Sequence, residues 1–507
     1  YLQGFLVLNP KYPCRWRMIV YKTEDKKQLS FFLPFGGRLD PNNRWVKLSE
    51  IIPWNDIEVK YAELFPANCG MPAKPLRVAL GALIIKEKCG FSDRETVAHI
   101  MENAYLQYFL GFEEFQFEAP FDPSLMVHFR KRLGIDTIID INEMICKVKD
   151  NETDSNSNEN NNQPPPAQSE VQAIPANVGA SSTPTKNKGT LILDATCTPA
   201  DIRYPTDLSL LNEARLKLEA IIDTLHLPLR GTLLKPRTYR DVARLEFLRV
   251  SKNRKPNRKV MRRAIGKQLG YLKRDLAIIE KLVELVGLDT LSKQQLKNFW
   301  VINELYRQQE IMHRTREHRI EDRIVSISQP HVRPIVRGKA GAETEFGAKV
   351  AISVVDGYTY IERLSWDNFN EGITLIESIE RFKERFGYYP EVVLADKIYR
   401  NRDNLQYCKE HGIRLSGPRL GRPPKNRDSQ MRKQEYLDAK ERNAVEGEFG
   451  EGKRRYGLGL IMACLRETSE TVVALQFLVM NLERRVRSLF WQIFKFLFHE
   501  FYLECLA

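Results

Sequence analysis

Residues 391–396 read Glu-Val-Val-Leu-Ala-Asp, a short run of strand-forming residues closed by an acid. Residues 190–196 read Thr-Leu-Ile-Leu-Asp-Ala-Thr and repeat the pattern, with Asp194 as the closing acid. Short apolar runs bounded by turn signals are buried strands, too brief for core helices. Between the two runs lies F-G-A-K-V-A-I-S-V-V-D-G-Y-T-Y-I-E-R-L-S-W, in which Asp356-Gly357 is a hairpin turn joining two β-rich segments. A helical stretch, I-T-L-I-E-S-I-E-R-F-K-E-R-F-G, closes at Gly387, and residues 412–417 read as a further strand. Strand, insertion, hairpin, helix, strand, helix, strand, helix describes a mixed α/β sheet with helices on its faces.

Outward from this unit, 507 residues are enough for two or three domains with separate cores. Lys and Arg number 78 against 65 Asp and Glu, a formal net charge of +13. That excess favours a polyanionic partner, nucleic acid before membrane. The eight cysteines are scattered without C-x-x-C pairs or metal-ligand spacing, which excludes a zinc framework and points to reduced thiols in a cytoplasmic protein. No run of eighteen apolar residues is present, so a membrane span is not expected. Residues 1–17 read as upstream translation, with Met18 as the natural start.

Residues 18–150 are expected to form an N-terminal all-α domain. Its clearest part runs from Met71 to Gly134 as short helices separated by tight turns. Ser92 caps one helix with Glu95 at the capping-box position, and Ser124 caps another that ends in Arg130, Lys131 and Arg132. The pattern fits a helix-turn-helix-like DNA-binding domain, with a plain helical bundle as the alternative. Residues 151–188 are rich in Asn, Pro and Ser and are expected to be a disordered linker. Residues 189–480 form the α/β domain, interrupted at about 208–325 by a basic helical insertion. Between Arg230 and Asp275 sixteen Lys or Arg face three acids, a ratio that favours a phosphate-binding track over a solvated face. Residues 481–507 are read as an apolar C-terminal helix serving core or oligomer contact.

The stretch R-N-A-V-E-G-E-F-G-E-G-K places Arg442, Glu446 and Lys453 on one predicted helix. Steps of four and eleven residues return to within about 40° of the starting direction, so the three share a face. Exposed ion pairs contribute little stability, and a carboxylate between two cations makes better sense as a metal ligand flanked by phosphate-gripping groups. With Asp194 and Asp396 it implies a metal-dependent enzyme acting on DNA. Asp201 and Asp207 compete with Asp194, but neither ends an apolar strand. Glu448 and Glu451 compete with Glu446, but neither has Arg at −4 and Lys at +7.

Asp194, Asp396 and Glu446 in this order resemble the D-D-E triad of ribonuclease-H-like transposases. R-x3-E-x6-K resembles the C-terminal signature of bacterial insertion-sequence transposases. G-F-S-D-R-E-T-V-A-H-I-M-E-N-A-Y-L-Q-Y-F-L-G and P-F-D-P-S-L-M-V-H-F-R-K-R are similar to that family's DNA-binding domain, and Q-P-H-V-R-P-I-V-R-G-K-A-G-A-E-T-E-F-G-A-K to the approach to its second strand. The likeness covers most of residues 18–480. One departure stands out: the family often has Tyr three residues before the Arg, and here that position is Ala439, the nearest Tyr being Tyr436.

The resemblance implies a ribonuclease-H-like catalytic domain holding two Mg²⁺, with Mn²⁺ as a substitute, in which Asp194 bridges both ions while Asp396 and Glu446 each complete one. Arg442 and Lys453 would hold phosphates. Arg130, Lys131, Arg132, Arg333, Arg337 and Lys339 are further expected DNA contacts. The implied activity is hydrolysis at an element's ends and strand transfer into target DNA by a homodimer on paired ends, in a nucleoid-associated cytoplasmic protein. The alternatives are a domesticated DNA-binding protein and a nuclease that cuts without joining.

Overall fold

The computed structural model describes residues 19–20, 34–65, 71–147, 186–339, 342–418, 421 and 429–504. The upstream stretch 1–17 and nearly all of the linker expected at 151–188 lie outside the described residues.

Two short strands, β1 (Ile19–Val20) and β2 (Met71–Pro72), pair in parallel at the start of the chain. Six helices follow the N-terminal text: α1 (Arg44–Ile51), α2 (Trp54–Glu63), α3 (Leu76–Cys89), α4 (Asp93–Glu102), α5 (Ala104–Phe109) and α6 (Leu125–Lys147). The capping box at α4 forms as its sequence predicts: Glu95 N–H donates to Ser92 Oγ and Ser92 N–H to Glu95 Oε2. α6 does not stop at Gly134. That residue takes φ 64° and bends the chain, and helical residues resume as far as Lys147.

The sheet is built from β3 (Thr190–Pro199), β4 (Arg333–Lys339), β5 (Ala342–Val355), β6 (Tyr358–Ser365), β7 (Val392–Leu394) and β8 (Arg414–Leu415). Its order is β4-β5-β3-β7-β8, with β6 also paired to β5. β5 runs antiparallel to both β3 and β6, whereas β7 runs parallel to β3 and β8 parallel to β7. Asp356 and Gly357 take φ of 50° and 81°, the two positive values that a tight hairpin turn needs.

Between β3 and β4 stand α7 (Asp207–His226), α8 (Arg240–Ser251), α9 (Arg258–Val286) and α10 (Lys293–Thr315). They enclose an apolar core of their own, with Leu211, Leu218, Leu272, Ile279 and Ile302 buried within it. After the sheet's hairpin come α11 (Leu375–Phe386), α12 (Arg402–Glu410), α13 (Ser429–Arg455) and α14 (Arg466–Glu504). α14 runs without interruption through residue 480, so the apolar C-terminal stretch continues a helix that begins at Arg466.

Strand periodicity sorts the sheet's side chains between two cores. Leu191, Leu193 and Val393 pack with α11 and α12 on one face. Ile192, Val350, Ile352 and Leu394 lie on the other, joined to Val445 of α13, to α14 and to the N-terminal helices in one continuous core.

Candidate active site

β3 and β7 pair Thr190 with Val392, Leu191 with Val393 and Ile192 with Leu394. Two further residues along that register bring Asp194 alongside Asp396, which lies two residues past the end of β7; Asp194 does not close its strand as expected, because pairing with β5 carries β3 on to Pro199. Each acid is two residues beyond an apolar residue of the α13 face, so each faces the same way. Val445, fully buried, seats α13 on that face, and Glu446 is its neighbour.

Asp194, Asp396, Arg442, Glu446 and Lys453 line one cavity of about 890 Å³. Arg442 reaches between two of the acids: Nη1 is 3.8 Å from Asp194 Oδ2 and Nη2 is 3.9 Å from Glu446 Oε1. Both separations exceed a hydrogen bond, so the guanidinium is poised between carboxylates rather than forked onto either. Asp194 accepts its neighbour Ala195 N–H at 2.8 Å, and Asp396 caps a short 3-10 turn by accepting Lys397 N–H at 2.7 Å. Burial pushes the Asp194 carboxyl above the usual carboxylate range; Glu371 and Asp396 add to the rise, while Ala195 N–H and Arg442 oppose it. Among the described residues no three His, Cys, Asp or Glu side chains stand close enough together to hold a metal ion as they are now arranged. The donors present are nevertheless hard carboxylate oxygens opening on one cavity, the chemistry that divalent oxygen-seeking cations require.

Two charged residues of this cavity carry no warning in the sequence. Glu371, in the short 3-10 turn that leads into α11, lines it and pairs with Lys349 of β5 at 2.9 Å. Lys349 also donates to Phe369 O at 2.8 Å. Glu371 closes no apolar run, and only the return of β6 along β5 brings it here. The single usable signal was its place in the polar stretch Asp367-Asn368-Phe369-Asn370-Glu371 after a strand.

The competing acids point elsewhere. Glu448 pairs with Arg484 at 3.1 Å, and Glu451 with Arg487 at 3.2 Å, both toward α14. Asp207 sits in the first turn of α7 and pairs with Arg323 at 2.7 Å. The three glycines around Glu446 do not interrupt α13, which is continuous over 27 residues. Gly452 is a packing requirement, since a Cβ there would strike Leu458 and lie 3.1 Å from Met480 Sδ.

Three expected DNA contacts need correction. Arg130 is buried and forked onto Asp93, at 3.0 and 2.5 Å, tying α6 to the start of α4. Arg132 lies half-buried over the Phe65 ring at 4.5 Å. Arg333 is held by Pro330 O at 2.6 Å and by Asp322 and Asp367. A guanidinium already engaged by a carboxylate, a carbonyl or a ring gains little by turning to a phosphate, although Nε of Arg130 and of Arg333 has no hydrogen-bond partner among the described residues. Lys131 is exposed, and the side chains of Arg337 and Lys339 lie outside the described residues. Trp366 is buried against His331, its indole N–H donating to Glu470 Oε1 at 2.7 Å.

Comparison with known proteins bears on two separate segments. Residues 393–483, which hold Asp396, Arg442, Glu446 and Lys453, match the family Transposase DDE domain. Residues 34–132, covering α1 to α5 and the start of α6, match the family Transposase domain (DUF772). Over 104 residues the chain is 38% identical to the uncharacterized protein ORF8 in the nfe locus of Rhizobium meliloti, a match spanning 20% of this chain and half of the relative's length. No solved structure matches the chain. Among the described residues no helix is long and apolar enough to cross a membrane. Segments similar to transposase families thus stand in two separate parts of the chain, and the second of them carries the site's helix.

Proposed function

We propose that the protein is a DNA transposase that binds the ends of an insertion sequence, hydrolyses a phosphodiester at each, and joins the freed 3′-hydroxyl to target DNA. The observation that carries this reading is the opening of Asp194, Asp396 and Glu446 on a single cavity together with Arg442 and Lys453. The antiparallel β3-β5-β6 ribbon continued by parallel β7 and β8, with one acid midway along β3 and another just past β7, supports a ribonuclease-H-like catalytic domain.

Asp194, Asp396 and Glu446 would hold divalent cations, Mg²⁺ or Mn²⁺. When bound, a pair of these supplies Lewis acidity to the attacked phosphate and to its leaving oxygen. Arg442 and Lys453 grip phosphates of the strand being cut, Arg as a fork and Lys as a point charge. Arg442 also offsets the repulsion between two of the acids, since its guanidinium lies between Asp194 and Glu446. Glu371 and Lys349 engage each other at the wall of the same cavity, so this pair shapes the site rather than gripping the DNA backbone. The helices α3 to α6 act as the helix-turn-helix-like end-binding domain, with Lys131 among its phosphate contacts. Two copies work on paired ends in the bacterial nucleoid.

The test is cleavage and joining by the purified chain of DNA carrying the element's own ends, with Mg²⁺ or Mn²⁺. Nicked ends and joined product are expected. Binding without nicking overturns the enzymatic reading, and nicking without joined product makes the protein a nuclease only.

A further inference from the structure

Three cavities meet end to end along one side of the molecule. The site cavity shares Val336 with a cleft of about 630 Å³ between the β3–α7 loop and the β4–β5 hairpin. That cleft shares Asp207 and His318 with a pocket of about 410 Å³ between α9 and the end of α10. Only the first of the three has a role in the chemistry above.

Tyr204 stands in the middle cleft, 70% exposed, with its ring edge-to-face against Phe346 at 5.5 Å and 90°. The loop that carries it is pinned at its start. Ala200 N–H donates to Phe346 O at 2.9 Å, Asp201 N–H to Ile461 O at 3.0 Å, and the Gln329 amide to Asp201 O at 3.0 Å. A large aromatic ring held by a fixed loop loses little freedom when something stacks on it. β3 links this platform to the site, since Pro199 lies about 17 Å along the strand from Asp194.

The third pocket has an apolar floor of Met261, Ile265 and Met312 beneath a rim that includes Arg258, Lys259 and Arg316. None of these three cations has a carboxylate partner among the described residues, and Arg319 in the middle cleft has none either. Of the acids that line these two pockets, Asp207 is already engaged by Arg323 and Gln309, and Glu317 stands exposed beside Arg316, outnumbered by the cations. An exposed ring, apolar floors and unengaged cations in series are what an unpaired nucleic-acid strand requires, its bases stacking while its phosphates follow the charges. Duplex DNA keeps its base faces stacked on one another and cannot use the ring.

We propose that this cleft and pocket bind an unpaired DNA strand continuing from the candidate active site, with one base stacked on Tyr204 and the phosphates beyond it against Arg319, Arg316 and Arg258. The assignment rests on the transposase reading for the strand's identity, and adds to it a single-strand path through the helical insertion.

The experiment is fluorescence anisotropy in EDTA, where no cleavage occurs, comparing a blunt fluorescein-labelled duplex with the same duplex bearing a single-stranded tail of about 10 nucleotides. The intact chain should bind the tailed probe more tightly. Tyr204→Ala should weaken the tailed complex about tenfold and leave the blunt one unchanged, whereas Tyr204→Phe should keep the preference. Arg316→Ala and Arg319→Ala should each reduce the salt dependence of tailed binding by about 0.7 in log-log slope. No tail preference, or an equal loss on both probes from Tyr204→Ala, overturns the proposal while leaving the transposase reading intact. A chain that binds neither probe overturns both.

Discussion

Asp275 is fully buried in the helical insertion, and neither of its carboxylate oxygens has a hydrogen-bond partner among the described residues. Burial, aided by the negative charge of Glu219, pushes its carboxyl up to about 7 against the pull of Arg215, Arg274 and Arg240. A folded-state value above the unfolded one means the contribution to stability is whole below pH of about 4 and is lost as pH rises through about 7. Asp275→Asn should therefore leave thermal stability nearly unchanged at pH of about 4 and raise it at pH of about 8, by an amount on the order of a few kcal/mol. An equal shift at both values would mean the charge is not responsible. At the site, Asp194→Asn, Asp396→Asn and Glu446→Gln should each cut end cleavage on the order of 10³-fold with end binding retained. Glu448→Gln should leave cleavage in place, because that carboxylate is paired with Arg484 on the far side of α13. Retained cleavage by Glu446→Gln with loss in Glu448→Gln would reverse the assignment. The acids were legible because they follow short apolar runs or repeat at helical spacing, even though β3 continues past Asp194 to Pro199. Glu371 and Lys349 were not, since their pairing joins a loop to a strand 22 residues earlier in the chain.

At the scale of the element, α13 tests how propensity yields to packing. Glycine in a helix interior costs roughly 1 kcal/mol relative to alanine, and three glycines follow Glu446 within six residues. The helix forms regardless, because Val445 and Gly452 are locked against the sheet and α14. A methyl group added at Gly447 would stand in open space, with no described atom within 4 Å, so Gly447→Ala should stabilise the fold by about 1 kcal/mol. Gly452→Ala should destabilise it by about 1–3 kcal/mol through overpacking against Leu458 and Met480. Chemical unfolding of both variants checks the pair, and the same sign for both would refute the packing account. The basic insertion shows a similar division. Its density of Lys and Arg is plain in the sequence, yet Arg240 is forked onto Asp223 at 2.9 and 3.1 Å and Lys267 is bound to Glu246. A charge run does not announce which of its members are already paired.

Across the whole molecule, the N-terminal helices and the sheet share one core, whereas the insertion keeps its own. Asn481 of α14 joins the shared core at a buried crossing. Its amide donates to Thr359 O and Asn142 Oδ1, both at 2.7 Å, and its carbonyl oxygen accepts Thr359 N–H at 2.9 Å. Asn481→Leu strands these partners and should cost about 2–4 kcal/mol, because buried polar groups left unpaired bear their full desolvation penalty. The N-terminal helices and the sheet should lose structure together on heating, as followed by hydrogen exchange, with the insertion free to open separately. Early opening of α1 to α5 while the sheet stays protected would show that the shared core does not couple them.

Local sequence alone set the strand that carries Asp194, the strand that leads to Asp396, the hairpin at Asp356-Gly357, the capping box at Ser92 and the common face of Arg442, Glu446 and Lys453. Each of these is local, set by side-chain period, turn chemistry or a spacing within one element. Long-range packing set the rest: Arg130 is buried on Asp93, Arg132 and Arg333 are engaged half-buried, Glu371 and Lys349 enter the cavity, and Gly452 lies beneath Leu458. Those outcomes depend on which distant segments are brought into contact, and an ionised or unsubstituted residue carries no mark of the partner that burial will supply.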